Sequence, residues 1–500
     1  LIGPFTAAAT TLTAGASYQV LGTLFVGTGK SLTIPAGTTL RFNGSETRLI
    51  VDGTLNVQGT SGSLVTLTSG RATPARGDWR GILLRSGSAP LIEYALIEWA
   101  VRGVELVSGA SATIRNSTIR NFSDSGIYMT GTTAATLLSG NTIDDLNDQS
   151  TCLYLNSASP TLQGNTVRNC FYGVFFNGNS SAALNSGNVI TSNTYGLYLQ
   201  TQTPQPVVTG NQIFGNTQFD YYTASFASGA QNVVLNATGN WWGTTDASAI
   251  SAKINDLTDS YTSTQLPTVD YSGFLDGPNG TPVPGNYLIG PFTAAATTLT
   301  AGASYQVLGT LFVGTGKSLT IPAGTTLRFY VPQSRLVVDG SLAIQGTESS
   351  PVRVISGLTD PVPGAWQGIE VRSTATSVLI DNAIVESAVR AISVTGTNAT
   401  IRNSIIRSFT DAGIWMSGVG SSSQILNNYI DNFDGVTGYG IYLTASSPAI
   451  TGNQIYRTSI GIYAVGASNP SITGNAISNN GRGIVLDGNN SNSASAVPNP

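Results

Sequence analysis

Acidic and basic side chains fall at fixed intervals behind apolar residues. Glu98, Arg120, Asp144 and Arg168 directly follow Ile97, Ile119, Ile143 and Val167; Glu386, Arg407 and Asp431 repeat the series before Tyr456 takes the fourth place. A neighbouring series pairs Arg102 with Asp124 and, later, Arg390 with Asp411. Carboxylates beside arginines can line a cleft for uronate sugars, and Glu98, Arg115, Arg120 and Asp124 are the nearest candidates for one. Adjacent Asp144 and Asp145 invite comparison with the paired carboxylates of a glycosidase. The second occurrence, however, reads Asp431-Asn432, and neighbours along a strand point apart. The other reading is a structural charge ladder: opposite charges stacked at strand spacing hold register, because like charges there repel. Alternating signs favour the ladder, since catalysis needs convergence on one point and a perturbed base.

Composition removes several chemistries. The chain has no histidine, so imidazole bases, His-dependent triads and the usual zinc ligand are absent. Charged residues are 10% of the chain, the net charge is −4, and the only lysines are Lys30, Lys253 and Lys317. Nothing there neutralises a row of phosphates, so nucleic acid is not an expected partner. The Gly-Gly-x-Gly-x-Asp calcium pattern does not occur, and no metal or cofactor is expected. No apolar run approaches the roughly 18 residues of a membrane span, and no charged leader opens the sequence, which predicts no membrane insertion and a mature or excised segment. Cys170 falls in a column with Phe122 and Leu146, and Cys152 in another with Gly126, Gly173 and Gly196. Separate columns predict two buried free thiols.

The elements that position these residues are set by two repeats. Leu1 to Phe42 returns unchanged as Leu288 to Phe329, and similarity continues at an offset of 287 or 288. Within each copy a shorter period places an Asn or Ser two residues before an Ile or Val: Ser117, Asn141, Asn165, Asn188 and Asn211, then Ser404, Asn428, Asn453 and Asn475. Three short alternating apolar segments in roughly 23 residues, punctuated by Gly, Asn and Ser, predict period-2 strands with tight turns and leave no room for helices. That is one coil of a parallel β-helix. About twenty coils at the strand spacing would form a rod roughly 100 Å long.

One further column is aromatic. Tyr128, Tyr154, Phe175 and Tyr198, then Trp415, Tyr442 and Tyr463, each follow an apolar residue behind the Gly column. If those apolar partners face inward, the rings face outward, either as a glycan-stacking face or as ordinary β-propensity reinforced by ring stacking.

The chain resembles the right-handed parallel β-helix repeat proteins of the pectin-lyase-like superfamily, bacterial surface and secreted type. The runs carrying the resemblance are Ser31 to Phe42, Leu49 to Thr60, Trp79-Arg80-Gly81-Ile82 with its echo Trp366-Gln367-Gly368-Ile369, and the closing Gly239-Asn240-Trp241-Trp242-Gly243. The resemblance implies an all-β, right-handed solenoid; the family also holds enzymes, and fold alone does not carry activity. Two tandem units are expected: residues 1–276, closed by a Trp-Trp and short-helix cap over about 239–275; a Pro/Gly linker at 277–287; and 288–500, ending at Asn499-Pro500 before its own cap. The cap helix is expected to start at Asp246 and run through Leu257, with Ile250, Ile254 and Leu257 on one side. Stiff stacked coils and tandem copies point to a non-enzymatic, extracellular structural repeat protein, a segment of a bacterial adhesin or surface filament. Expected partners are other copies of itself or surface glycans. The alternatives are a carbohydrate-binding or polysaccharide-degrading β-helix and a self-assembling sheath or matrix protein.

Overall fold

A computed structural model describes residues 1–88, 90–146, 149–201, 205–433 and 438–488. The expected stop at Asn499-Pro500 lies outside the described residues. Chain contacts divide the molecule into two compact units. The first comprises Leu1–Ala230, Leu235–Asp256 and Ser263–Val283; the second comprises Gln231–Val234, Leu257–Thr262 and Pro284–Pro500.

In the first unit every third strand pairs with the next, building an eleven-stranded sheet and two nine-stranded sheets. The ladders are parallel and in register: Ile97 lies on Ile119, Ile119 on Ile143, and Ile143 on Val167. Residues about two dozen apart therefore occupy successive turns of one winding chain, a parallel β-helix. Period-2 patterning sets the faces. In Ser125–Thr130, Ile127 and Met129 are fully buried while Tyr128 between them is partly exposed. Corners between sheets are sharp because polar residues adopt left-handed backbone there, as at Asn116 (φ 51°), Asn121 (54°) and Asn169 (58°). Asn tolerates that region better than most side chains.

Buried amides tie each coil to the next. The Asn165 side-chain oxygen accepts from the Asn141 backbone N–H at 3.0 Å, while its Nδ2 donates to the Leu138 carbonyl at 2.9 Å. The same pattern runs through Asn188, Asn211 and Asn240, and in the second unit through Asn428, Asn453 and Asn475. Only a side chain that both donates and accepts can satisfy two backbone groups inside the coil, which explains the Asn column. Larger apolar residues fill the remaining interior: Trp79 stacks on Phe42 with ring centres 4.0 Å apart, and Trp366 on Phe329 at 4.1 Å.

Three expectations need correction. Cys152 and Cys170 are not free thiols; they form a disulfide, with Cα atoms 5.7 Å apart. Their columns differ but interlock. A Cβ placed on Gly173 would point at the Asn193 amide, 2.9 Å away, and one on Gly196 at the Asn216 amide, 2.7 Å away. At these positions the Gly column thus aims a side chain at the corner residue of the following coil, and Cys152 meets Cys170 in that way. Leu146 does not share the Phe122 column; it is 67% exposed, and buried Asp145 lies inside instead. The cap helix is shorter than expected, Ala247–Ser251, with Asp246 accepting from the backbone of Ser248 and Ala249. Ile254 lies instead in a strand, Ile254–Asn255, which adds to the eleven-stranded sheet through Tyr221 and Tyr222.

The second unit repeats the plan with an eight-stranded sheet and a sixteen-stranded one. The larger sheet turns a corner through one long strand, Ser304–Val313. The identical residues of the first unit split into Ser17–Val20 and Leu24–Val26.

Candidate functional site

Strand register stacks the outward positions of the eleven-stranded sheet. Tyr128, Tyr154, Phe175, Tyr198 and Tyr222 lie one above another. Their ring centres are 4.8, 5.0, 5.1 and 5.1 Å apart; the outer two contacts are stacked and the inner two, on either side of Phe175, are edge-on. A flanking column that the sequence reading did not single out, Tyr172, Tyr195 and Phe219, widens the face; Tyr172 contacts Tyr198 at 4.7 Å. Its signal was present in the aromatic residue three places before Phe175, Tyr198 and Tyr222. Inward neighbours Ile127, Leu153, Val174 and Leu197 are buried, so the rings do face outward.

Charge closes one end of this face. The Arg102 guanidinium sits 3.8 Å above the Tyr128 ring and also pairs with Asp124 and Glu105, both at 2.7 Å. Partial burial, and after it the neighbouring phenols, raise the pKa values of Tyr172 and Tyr198; burial and Tyr128 do the same for Tyr154. These hydroxyls stay protonated at neutral pH. The face is accordingly neutral, apolar in its ring planes, and edged with hydroxyl donors and one guanidinium.

The second unit carries a shorter version. Trp415, Tyr442 and Tyr463 stack in register, with Trp415 and Tyr442 parallel at 6.3 Å and Tyr442 edge-on to Tyr463 at 5.4 Å. Arg390 lies over Trp415, 4.7 Å from the ring centre, and pairs with Asp411. Beside it is a cavity of about 340 Å³ lined by Arg335, Glu370, Arg390, Asp411 and Trp415 among others.

The remaining predicted charges pair along the stack. Glu98 meets Arg120 at 2.8 Å, Asp144 meets Arg168 at 2.8 Å, and Glu386 meets Arg407 at 2.7 Å. Asp431 pairs with Arg457, at a left-handed corner position next to the Tyr456 that breaks the series. Further pairs missed from sequence, Glu93 with Arg115 and Asp381 with Arg402, stack the same way on another sheet. Glu98 and Arg120 belong to one sheet, Arg115 to a second, and Asp124 precedes a strand of the third, so these four candidates do not share one face. Asp145 is fully buried, hydrogen-bonded to Ser150 and paired with Arg76; burial raises its pKa. Among the described residues, no three His, Cys, Asp or Glu side chains are placed to hold a metal, and no helix is long and apolar enough to cross a membrane.

Comparison with known proteins follows the same division of the chain. The family described as right handed beta helix region matches residues 77–238 and 367–497, and the pectate-lyase like beta helix domain matches residues 3–95 and 290–409. No curated protein matches. Among solved structures, that of the Streptococcus pneumoniae surface protein and adhesin PfbA is 10% identical, with 96% of this chain and 90% of that chain covered. Its TM-score is 0.17, too low to carry an argument.

Proposed function

We propose, from the premise that the chain belongs to the right-handed β-helix family, that it is a non-enzymatic structural segment of an extracellular bacterial surface protein, an adhesin or filament. The observation that carries this reading is the disposition of charge. Glu98 pairs with Arg120, Arg115 with Glu93 and Asp124 with Arg102, three separate ion pairs along the coils instead of one point of convergence. Such pairs hold register; each, where exposed, is worth about 0–1 kcal/mol. A disulfide in a chain of low charge fits an oxidising compartment outside the cytosol. Incubation with polyuronates and neutral polysaccharides, read by unsaturated uronate absorbance and reducing ends, is expected to show no release. Cleavage lost on Arg120→Ala in a folded protein would overturn the reading.

A second reading, glycan binding, is favoured by the outward rings from Tyr128 to Tyr222 capped by Arg102. Sugars stack their apolar faces on such rings while hydroxyl edges fix orientation. On a glycan array, retained signal that disappears in Tyr154→Ala and Tyr198→Ala supports it; a blank array removes it.

A further inference from the structure

Two copies of one sequence sit here in different surroundings. In the second unit, Leu308 is 1% exposed and Thr310 3%. The segment Leu257–Thr262, which belongs to that unit, lies against Gly309 and Thr310. The Thr258 hydroxyl accepts from the Thr310 backbone N–H at 3.3 Å, and a Cβ on Gly309 would meet the same hydroxyl at 2.8 Å, so glycine is what admits it. Further along, the Tyr261 ring lies 3.6 Å beneath the Arg335 guanidinium, with that of Arg372 at 5.2 Å. In the first unit the corresponding residues are Leu21, Gly22, Thr23, Arg48 and Arg85. There Leu21 is 60% exposed, nearby Ile2 72%, and the nearest atom to a Cβ on Gly22 is a flexible Ile2 methyl at 3.8 Å.

We propose that the Ile2, Leu21, Gly22 and Arg48 surface of the first unit is a docking site for the Leu-Thr-Asp-Ser-Tyr-Thr segment of a second copy of this repeat unit. The contacts that hold the segment in the second unit have counterparts here: the open glycine, a backbone N–H at Thr23 and two arginines for the tyrosine ring, with the exposed Leu21 beside them. Leu83 stands where Glu370 pairs with Arg335 and Arg372, which leaves the first-unit ring site more apolar. Stacking a tyrosine between arginines draws on the ring quadrupole, and covering Leu21 removes an exposed apolar side chain from water. This deepens the structural-segment reading and rests on it.

The test titrates a fluorescein-labelled peptide of residues 255–262 with the full chain and follows anisotropy. Saturable binding of one peptide per chain is expected below about 1 mM. Tyr261→Ala in the peptide should weaken it about tenfold, and Arg48→Ala in the chain likewise. Leu21→Asp should abolish it; the residue is exposed, so circular dichroism should be unchanged. A silent peptide, or binding indifferent to Leu21→Asp, overturns the proposal. That failure is distinct from polysaccharide cleavage, which would sink the structural reading and leave peptide binding to this surface intact.

Discussion

Asp220 is an acid in the wrong place for its charge, and that can be measured. It lies between Phe219 and Tyr221, which pair with Tyr195 and Leu197, so it occupies the column that holds Gly196 one coil earlier. Its side chain points inward, 2% exposed, and accepts from the Asn216 amide at 2.7 Å and the Asn216 backbone N–H at 3.2 Å. Burial outweighs these bonds and the Lys253 charge, raising its pKa from 3.8 to about 6. A carboxyl whose folded pKa exceeds its unfolded one favours the fold when protonated. Stability is therefore greatest below about pH 4, falls as pH rises towards 6, and is flat above. A shift of roughly two units amounts to about 3 kcal/mol across that window. Asp220→Asn keeps the shape and the acceptor but cannot ionise. Protection factors from hydrogen exchange, already corrected for intrinsic pH dependence, should be read in peptides spanning residues 212–223, with second-unit peptides as reference. Wild type should lose protection between pH 4 and 6; the variant should not, and at pH 7 should exceed wild type by up to about 3 kcal/mol. An unchanged pH slope in the variant, or lower protection at pH 7, would refute the reasoning.

Reducing the Cys152–Cys170 bridge, which spans 18 residues, should lower the stability of its coils by about 3 kcal/mol in denaturant titrations; a denatured, unreduced sample should titrate no free thiol. Asn165→Ala strips the acceptor from Asn141 and the donor from Leu138, which should cost about 2–4 kcal/mol in urea unfolding. An effect below about 0.5 kcal/mol would show the amide ladder to be incidental. Gly81→Ala forces a Cβ to within 1.6 Å of the Arg102 carbonyl at φ +98°, so loss of soluble protein or more than about 4 kcal/mol is expected. Gly29→Ala, with left-handed φ but nothing within 4 Å, should cost only about 1 kcal/mol; equal effects would count against steric crowding as the cause.

Periodicity made the coil legible because a solenoid is nearly one-dimensional. Each residue's neighbours lie one period away, so spacing alone predicts that Ile119 covers Ile143 and that Tyr128, Tyr154 and Phe175 share a column. Alternation along a strand then settles which of them face the core. What spacing does not encode is how columns mesh across a corner or where a side chain reaches once it leaves its own column. The Cys152–Cys170 bridge joins different columns, Arg457 reaches back to Asp431 from a position off the charge series, and Asp145 turns inward where a count of residues places Leu146. The most direct contrast is Leu21 against Leu308, two residues in identical 42-residue sequences, one open to water and one covered. Local sequence is the same, so burial there was decided by tertiary surroundings; two residues on, Thr310 bonds to Thr258 about fifty positions away, a contact that no local pattern specifies.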